Sequence, residues 1–175
     1  MISKTLFGAA CAAMIMVASG VSSAAYADTA KQFLQNAIKG DNSEIMLGRM
    51  AQRKADSPSV QEFGKTLFDD HSKAKAQAAQ VADQLGIPVP GKPMDKALEE
   101  RDRLARLSGE QFDREFVRYM VADHRHDIAD FRKEAAAHMG MVSRLAQEQL
   151  PTLKKHLDMA VALNREPKVA EAETR

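Results

Sequence analysis

The stretch that decides the fold reads Glu115-Phe116-Val117-Arg118-Tyr119-Met120-Val121-Ala122-Asp123-His124. Its skeleton is Glu-Phe-x-(Lys/Arg)-x-x-x-x-Asp-His, and the same skeleton occurs once earlier, from Glu62 to His71. In both copies the histidine follows the phenylalanine by eight positions. On a helix this is just over two turns, so the imidazole shares the face of the apolar ring. Both histidines are therefore expected to point into a helical core.

Apolar residues at helical spacing predict four long helices around these two copies. Asp28 or Thr29 would cap the first helix, and Ser57 followed by Pro58 would start the second. Gly86 would end the second helix in a left-handed conformation. The predicted helices cover residues 29–55, 58–85, 110–138 and 141–163, and Gly40 and Gly48 in the first predict a close approach of a neighbouring helix.

The connection between the second and third helices is unusually long. It begins with Ile87-Pro88-Val89-Pro90-Gly91-Lys92-Pro93, which cannot be helical, and continues into a short amphipathic helix over about 94–107. Neighbouring helices need a much shorter link, so this one is expected to cross the length of the bundle. The sequence therefore predicts an all-α four-helix bundle with a long connection carrying a short helix between helices two and three.

The first residues are typical of an export signal. Lys4 gives a positive start, residues 6–17 are apolar, and Ala25-Tyr26-Ala27 is a small-x-small cleavage motif. We expect cleavage after Ala27 and a periplasmic or otherwise exported protein, with a retained membrane anchor as the alternative. The predicted organisation is a signal peptide over 1–27, a bundle over 28–164 and a charged flexible tail over 165–175.

Composition excludes several classes of function. The single cysteine, Cys11, lies in the predicted signal, so the processed chain would offer neither a disulfide nor a thiolate ligand. The formal net charge is +1 without a basic run, which argues against nucleic acid as a partner. The sequence contains no nucleophile constellation, phosphate-binding loop or nucleotide fingerprint. No transmembrane segment is expected after processing.

Polar residues interrupt the apolar face of each long helix near its middle. One comes from each helix, and the four are Glu44, His71, His124 and His156. Imidazoles and a carboxylate facing inward at one height are how metal sites are built in bundles. Asp127, one turn beyond His124, could supply a further oxygen. These residues predict a site for one transition-metal ion, with zinc, copper, iron and manganese all open.

Other polar residues have more ordinary interpretations. Asp70 and Asp123 are expected to accept a hydrogen bond from an imidazole on an adjoining helix, or to be surface charges. Met120 and Met159 are expected to fill the core rather than bind copper. The remaining candidates are predicted to be surface groups, namely Asp41, Asp69, His126 and His138.

Two alternatives to metal binding stay open at this point. The Glu/His set could be a static hydrogen-bonded network in a non-enzymatic interaction or structural module of the cell envelope. An oxidase-type enzyme would need a second metal or an open coordination position. A single-ion site with four protein ligands favours binding or storage over catalysis.

At these residues the chain resembles an exported bacterial family known as domain of unknown function 4142, placed among ferritin-like bundles. The residues that carry the resemblance are Ser43-Glu44, Val60-x-x-Phe63, Asp70-His71, Ser108-Gly109-x-x-Phe112-Asp113 and Asp123-His124. The resemblance implies a ferritin-like bundle in the periplasm or at the outer membrane, with no established activity. The chain departs from di-iron ferritins because Glu44 and Glu134 lack a histidine three positions later.

Overall fold

The structure is a computed structural model that describes residues 23–137 and 140–165, with side chains from Tyr26 onward. Most of the predicted signal peptide, His138 and the tail beyond Arg165 lie outside the described residues. Within those ranges every regular element is helical. The helices in chain order are α1 (Ser23–Lys54), α2 (Pro58–Gln84), α3 (Asp95–Ala105), α4 (Gly109–Ala135) and α5 (Gly140–Arg165).

The four long helices form two hairpins. α1 packs mainly on α2 and α4 packs mainly on α5, while α2 meets α5 and α1 meets α4 across the bundle. The connection from α2 to α4 returns along the bundle, because α4 begins beside the turn that joins α1 to α2. The prediction of an all-α bundle with a long connection carrying a short helix is confirmed, and the crossover gives it ferritin-like connectivity.

The start of α2 is capped from across the bundle. Ser57 is at the N-cap position with extended backbone, but its side chain makes no capping hydrogen bond. The carboxylate of Asp113 on α4 accepts the backbone N–H groups of Asp56 and Ser57 at 3.0 and 2.7 Å. Backbone N–H groups just before a helix also need acceptors, and a carboxylate is the strongest that a side chain offers. Asp113 therefore ties α4 to the α1–α2 turn.

The N-terminal boundary of α1 differs from the prediction. Asp28 and Thr29 lie inside the helix, so neither caps it, and the Thr29 hydroxyl donates to the Tyr26 carbonyl at 2.9 Å. Alanine-rich sequence continues the helix upstream at little cost. The Tyr26 hydroxyl also donates to Glu134 Oε1 at 3.0 Å, which ties this end of α1 to α4.

The apolar core has an aromatic group at each end and polar residues between them. Near the α1–α2 turn, Phe116 packs against Phe63 and Phe112, with ring centroids 6.1 and 6.0 Å apart. At the opposite end, Phe33 meets Phe131 edge to face at 4.9 Å. Aromatic pairs of this kind stabilise a core beyond their buried area. The polar residues at mid-height are therefore held between two well-packed apolar layers.

None of the helices in residues 23–137 and 140–165 combines the length and apolarity needed to cross a membrane.

Candidate metal centre

Three histidines from three helices meet inside the bundle. His71 on α2, His124 on α4 and His156 on α5 are 5%, 0% and 0% exposed. Their ring centroids are 5.2 to 5.9 Å apart. One ring nitrogen from each lies within 4.8 Å of one from each of the others. The expectation that these three residues share one height and face inward is thus met in the structure.

Aspartates fix two of the three rings. His71 Nδ1 donates to Asp41 Oδ1 at 2.9 Å, and His156 Nε2 donates to Asp70 Oδ2 at 3.1 Å. Each carboxylate comes from a different helix than its histidine, so the contacts also tie the helices together. A carboxylate on one imidazole nitrogen fixes the tautomer and makes the other nitrogen a better metal ligand.

The third ring is fixed by its own helix. His124 Nδ1 donates to the Met120 carbonyl one turn earlier, at 3.1 Å. With these bonds made, the remaining nitrogens are His71 Nε2, His124 Nε2 and His156 Nδ1. All three are buried and have no hydrogen-bond partner. Buried polar atoms without partners are rare, and one ring nitrogen from each histidine lies within 4.8 Å of those of the other two, so the group could hold a metal ion.

Burial favours the neutral form of two of these rings, His124 and His156. Burial lowers the pKa of His124 to about 3, and the nearby charges of His71 and His156 act in the same direction. Burial also lowers the pKa of His156 to about 4, although its hydrogen bond to Asp70 opposes the shift. A neutral imidazole is the form that binds a metal. Both rings are therefore in the ligand form at neutral pH.

Asp41 is buried, contrary to its prediction. It was predicted to be a surface group, but it is 6% exposed and accepts from His71. The signal for its burial was its position one turn before Glu44 on the same helix face. The other surface predictions within the described residues are confirmed, since Asp69 is partly exposed and pairs with Lys65, and His126 is exposed and pairs with Asp130.

Of the two predicted acceptors, only Asp70 meets an imidazole. Asp123 is buried and instead accepts from Lys96 Nζ at 2.7 Å. Met120 and Met159 both pack in the apolar cluster nearest the α1–α2 turn, which confirms them as core fillers.

Glu44 and Asp127 lie outside the three-histidine group. Glu44 is fully buried, and its Oε1 approaches His124 at 4.0 Å, on the Nδ1 that already donates to Met120. Burial raises the pKa of Glu44 well above its usual value, and the charge of Asp123 adds to the shift. Burial and the charge of Asp123 likewise raise the pKa of Asp127 to about 7.

A cleft of about 860 Å³ opens between the four long helices beside the histidines. His71 and His156 line it together with Asp41, Asp70 and Asp127. The nitrogens that face one another are nonetheless closed off from solvent. An ion bound to them would lie just behind the wall of the cleft.

The profile of a sequence family, Domain of unknown function (DUF4142), matches residues 16–163. The chain belongs to the DUF4142 family. The match covers α1, α2 and α4, all but the last two residues of α5, and every residue of the three-histidine group, so the site lies wholly within the DUF4142 domain.

Two solved structures share the fold of this DUF4142 chain. One is a DUF305 fragment from Deinococcus radiodurans, with a TM-score of 0.68 and 20% identity, covering 78% of this chain and 95% of that one. The other is described as "putative secreted protein DUF305 from Streptomyces coelicolor", with a TM-score of 0.66 and 15% identity, covering 78% and 93%. At these identities the likeness concerns the fold alone. No curated protein matches the chain.

Proposed function

We propose that this DUF4142 domain is an exported protein that binds one transition-metal ion through His71 Nε2, His124 Nε2 and His156 Nδ1. The observation that carries the proposal is the convergence of three buried nitrogens that have no other partner. A static Glu/His network would leave those nitrogens paired with one another or with a donor. Their lack of partners favours metal binding over that alternative.

The ligand set suits zinc, copper or iron better than a hard cation, because all three donors are imidazoles. In a tetrahedral site with bonds of about 2.0–2.1 Å, the ligand nitrogens lie roughly 3.4 Å apart. The three nitrogens here lie within 4.8 Å, so the rings would close slightly on the ion. Asp127 is our candidate for a fourth ligand because it lies one turn from His124 and lines the same cleft as His71. Glu44 would support the site indirectly, because its carboxyl lies near the His124 ring.

The proposed role is metal handling or envelope stress. The ligand nitrogens are closed off from solvent, which favours holding an ion over turning over a substrate. Export is supported by the cleavage motif ending at Ala27 and by the description of one structural neighbour as a secreted protein.

Metal analysis of protein purified without a histidine tag tests the proposal. We expect one ion per chain, and an ion concentration about 100 times the Kd should stabilise the fold by about 2.7 kcal/mol. His124→Ala should lose both the ion and the stabilisation. His126→Ala is the matched control, since His126 is exposed two positions along α4 and should change neither. Absence of stoichiometric metal, with an unchanged Tm for every ion added, would refute the proposal.

Asp41→Asn separates a metal site from a packing role. Removing the carboxylate that holds His71 should weaken metal affinity about 10- to 100-fold. Asp69→Asn, on the exposed side of α2, should leave the affinity unchanged. Equal affinities for Asp41→Asn and the wild type would show that Asp41 does not support a ligand.

A further inference from the structure

The crossover between α2 and α4 is fastened to α1 directly beside Glu44. Asn42 Nδ2 donates to the Pro90 carbonyl at 3.1 Å and to the Lys92 carbonyl at 3.4 Å. The backbone N–H of Met94 donates to Ser43 Oγ at 3.0 Å. Both fastenings come from the residues immediately before Glu44. They fix the start of α3 against α1, at the residues that precede Glu44 in the chain.

This placement brings a cation from α3 into the polar centre. The Lys96 ammonium lies 2.7 Å from Asp123 Oδ1, and its side chain is 47% exposed, so it reaches inward from the surface. Asp127 and Glu44 are the other carboxyl groups that feel its charge. Lys96 therefore pairs directly with Asp123 and acts through its charge on Asp127 and Glu44.

Within this cluster, the environment of Glu44 is the observation that indicates a bound ligand. Its side chain is 0% exposed, and within the described residues no N–H or O–H group donates to either of its oxygens. The carboxyl groups whose charges act on it are those of Asp123, Asp127 and Asp41. Several carboxylates with no nitrogen ligand form a donor set for a hard divalent cation such as Mn²⁺.

We propose that the Lys96 ammonium occupies the position of a second divalent cation, which Glu44 and Asp123 would otherwise bind through oxygen. The lysine supplies positive charge to the carboxyl cluster and so limits the protein to the ion held by the histidines. The statement that the protein holds a single ion rests on the proposed function. The proposed second position, with oxygen ligands, does not depend on it. Lys96 is thus a residue that determines metal stoichiometry.

Lys96→Met tests this because it keeps most of the side-chain stem and removes the charge. Protein stripped with a chelator is dialysed against MnCl₂ and its metal content is measured. Lys96→Met should bind one Mn²⁺ more than the wild type, and Mn²⁺ should raise its Tm by more than it raises that of the wild type. Lys65→Met is the matched control, because Lys65 pairs with Asp69 on the surface at 2.9 Å and should add no ion.

Equal Mn²⁺ content in Lys96→Met and the wild type overturns the proposal, as does the same increase in Lys65→Met. If Lys96→Met does not fold, Lys96→Gln replaces it and is judged by the same comparison. A wild type that binds no ion, beside a Lys96→Met protein that binds one, would refute the three-histidine site and support the role of Lys96.

Discussion

At the scale of the residue, each buried histidine uses its two nitrogens differently. One nitrogen donates to Asp41, Asp70 or the Met120 carbonyl, and the other faces its counterparts without a partner. A histidine that only fills a core would have both nitrogens satisfied or one in contact with water. Each of these rings has one bonded nitrogen and one without a partner, and this distinguishes a set of metal ligands from histidines that only pack in a core.

Asp127 should make the stability of the metal-free protein depend on pH. Its pKa is raised to about 7 in the folded protein, against 3.8 as the ordinary value. The unfolded chain thus loses the proton first, and stability falls as pH rises through the folded pKa. In the presence of chelator, Asp127→Asn should gain about 2–4 kcal/mol in unfolding free energy relative to the wild type between pH 4 and pH 8.

Urea unfolding at several pH values measures this difference. Asp158→Asn, at an exposed position on α5, is the control and should differ from the wild type by the same amount at every pH. If the unfolding free energies of Asp127→Asn and the wild type differ by a constant amount across this range, the raised pKa of Asp127 is contradicted.

At the scale of the element, α1 and α2 pack closely where two glycines face each other. A Cβ at Gly48 would lie 2.6 Å from the Gly64 carbonyl oxygen, and one at Gly64 would lie 2.7 Å from Ala51 Cβ. Both distances are too short for real atoms, so the helices must separate to admit a methyl group. The close approach predicted for Gly48 is therefore confirmed. The same prediction for Gly40 is wrong, because a Cβ there would meet only Asp127 Oδ2, at 4.0 Å.

The two glycines of α1 should consequently respond to alanine in opposite directions. Gly48→Ala should destabilise the protein by about 1–3 kcal/mol, because the backbone of α2 cannot move aside cheaply. Gly40→Ala has room for its methyl group and should stabilise the helix by about 0.5–1 kcal/mol. Thermal unfolding of the two variants checks this. If both variants lose stability, the space beside Gly40 is too small for a methyl group.

At the scale of the whole molecule, the proposed ligands lie on both hairpins. His71 belongs to the α1–α2 hairpin, whereas His124 and His156 belong to the α4–α5 hairpin. The cleft opens between these hairpins, and each hairpin packs more tightly within itself than against the other. A bound ion would therefore join the two halves of the bundle.

Amide hydrogen exchange should reveal that joining. On adding metal, amides near the three histidines should exchange more slowly, because local opening between the hairpins would break coordinate bonds. Amides around Gly48 and Gly64, inside one hairpin, should change least in conditions where exchange occurs by local opening. Protection confined to the α1–α2 contact would indicate that the ion binds somewhere other than the three histidines.

The sequence by itself determined the four amphipathic helices, the long crossover and the inward placement of His71, His124 and His156. These features follow from periodicity and from distance along a helix, which are local properties that the order of residues records. It also offered Asp70 and Asp123 as acceptors for an imidazole on another helix or as surface charges, and only Asp70 meets an imidazole.

Only the tertiary structure decided which polar groups touch one another. Asp41 meets His71, Asp123 meets Lys96, and Asp113 caps α2, although each pair is separated by many residues in the chain. Such contacts depend on the rotation of one helix against the next and on where the crossover lies, and helical periodicity records neither. For that reason the ring positions could be predicted from the sequence, whereas the partner of each ring nitrogen could not.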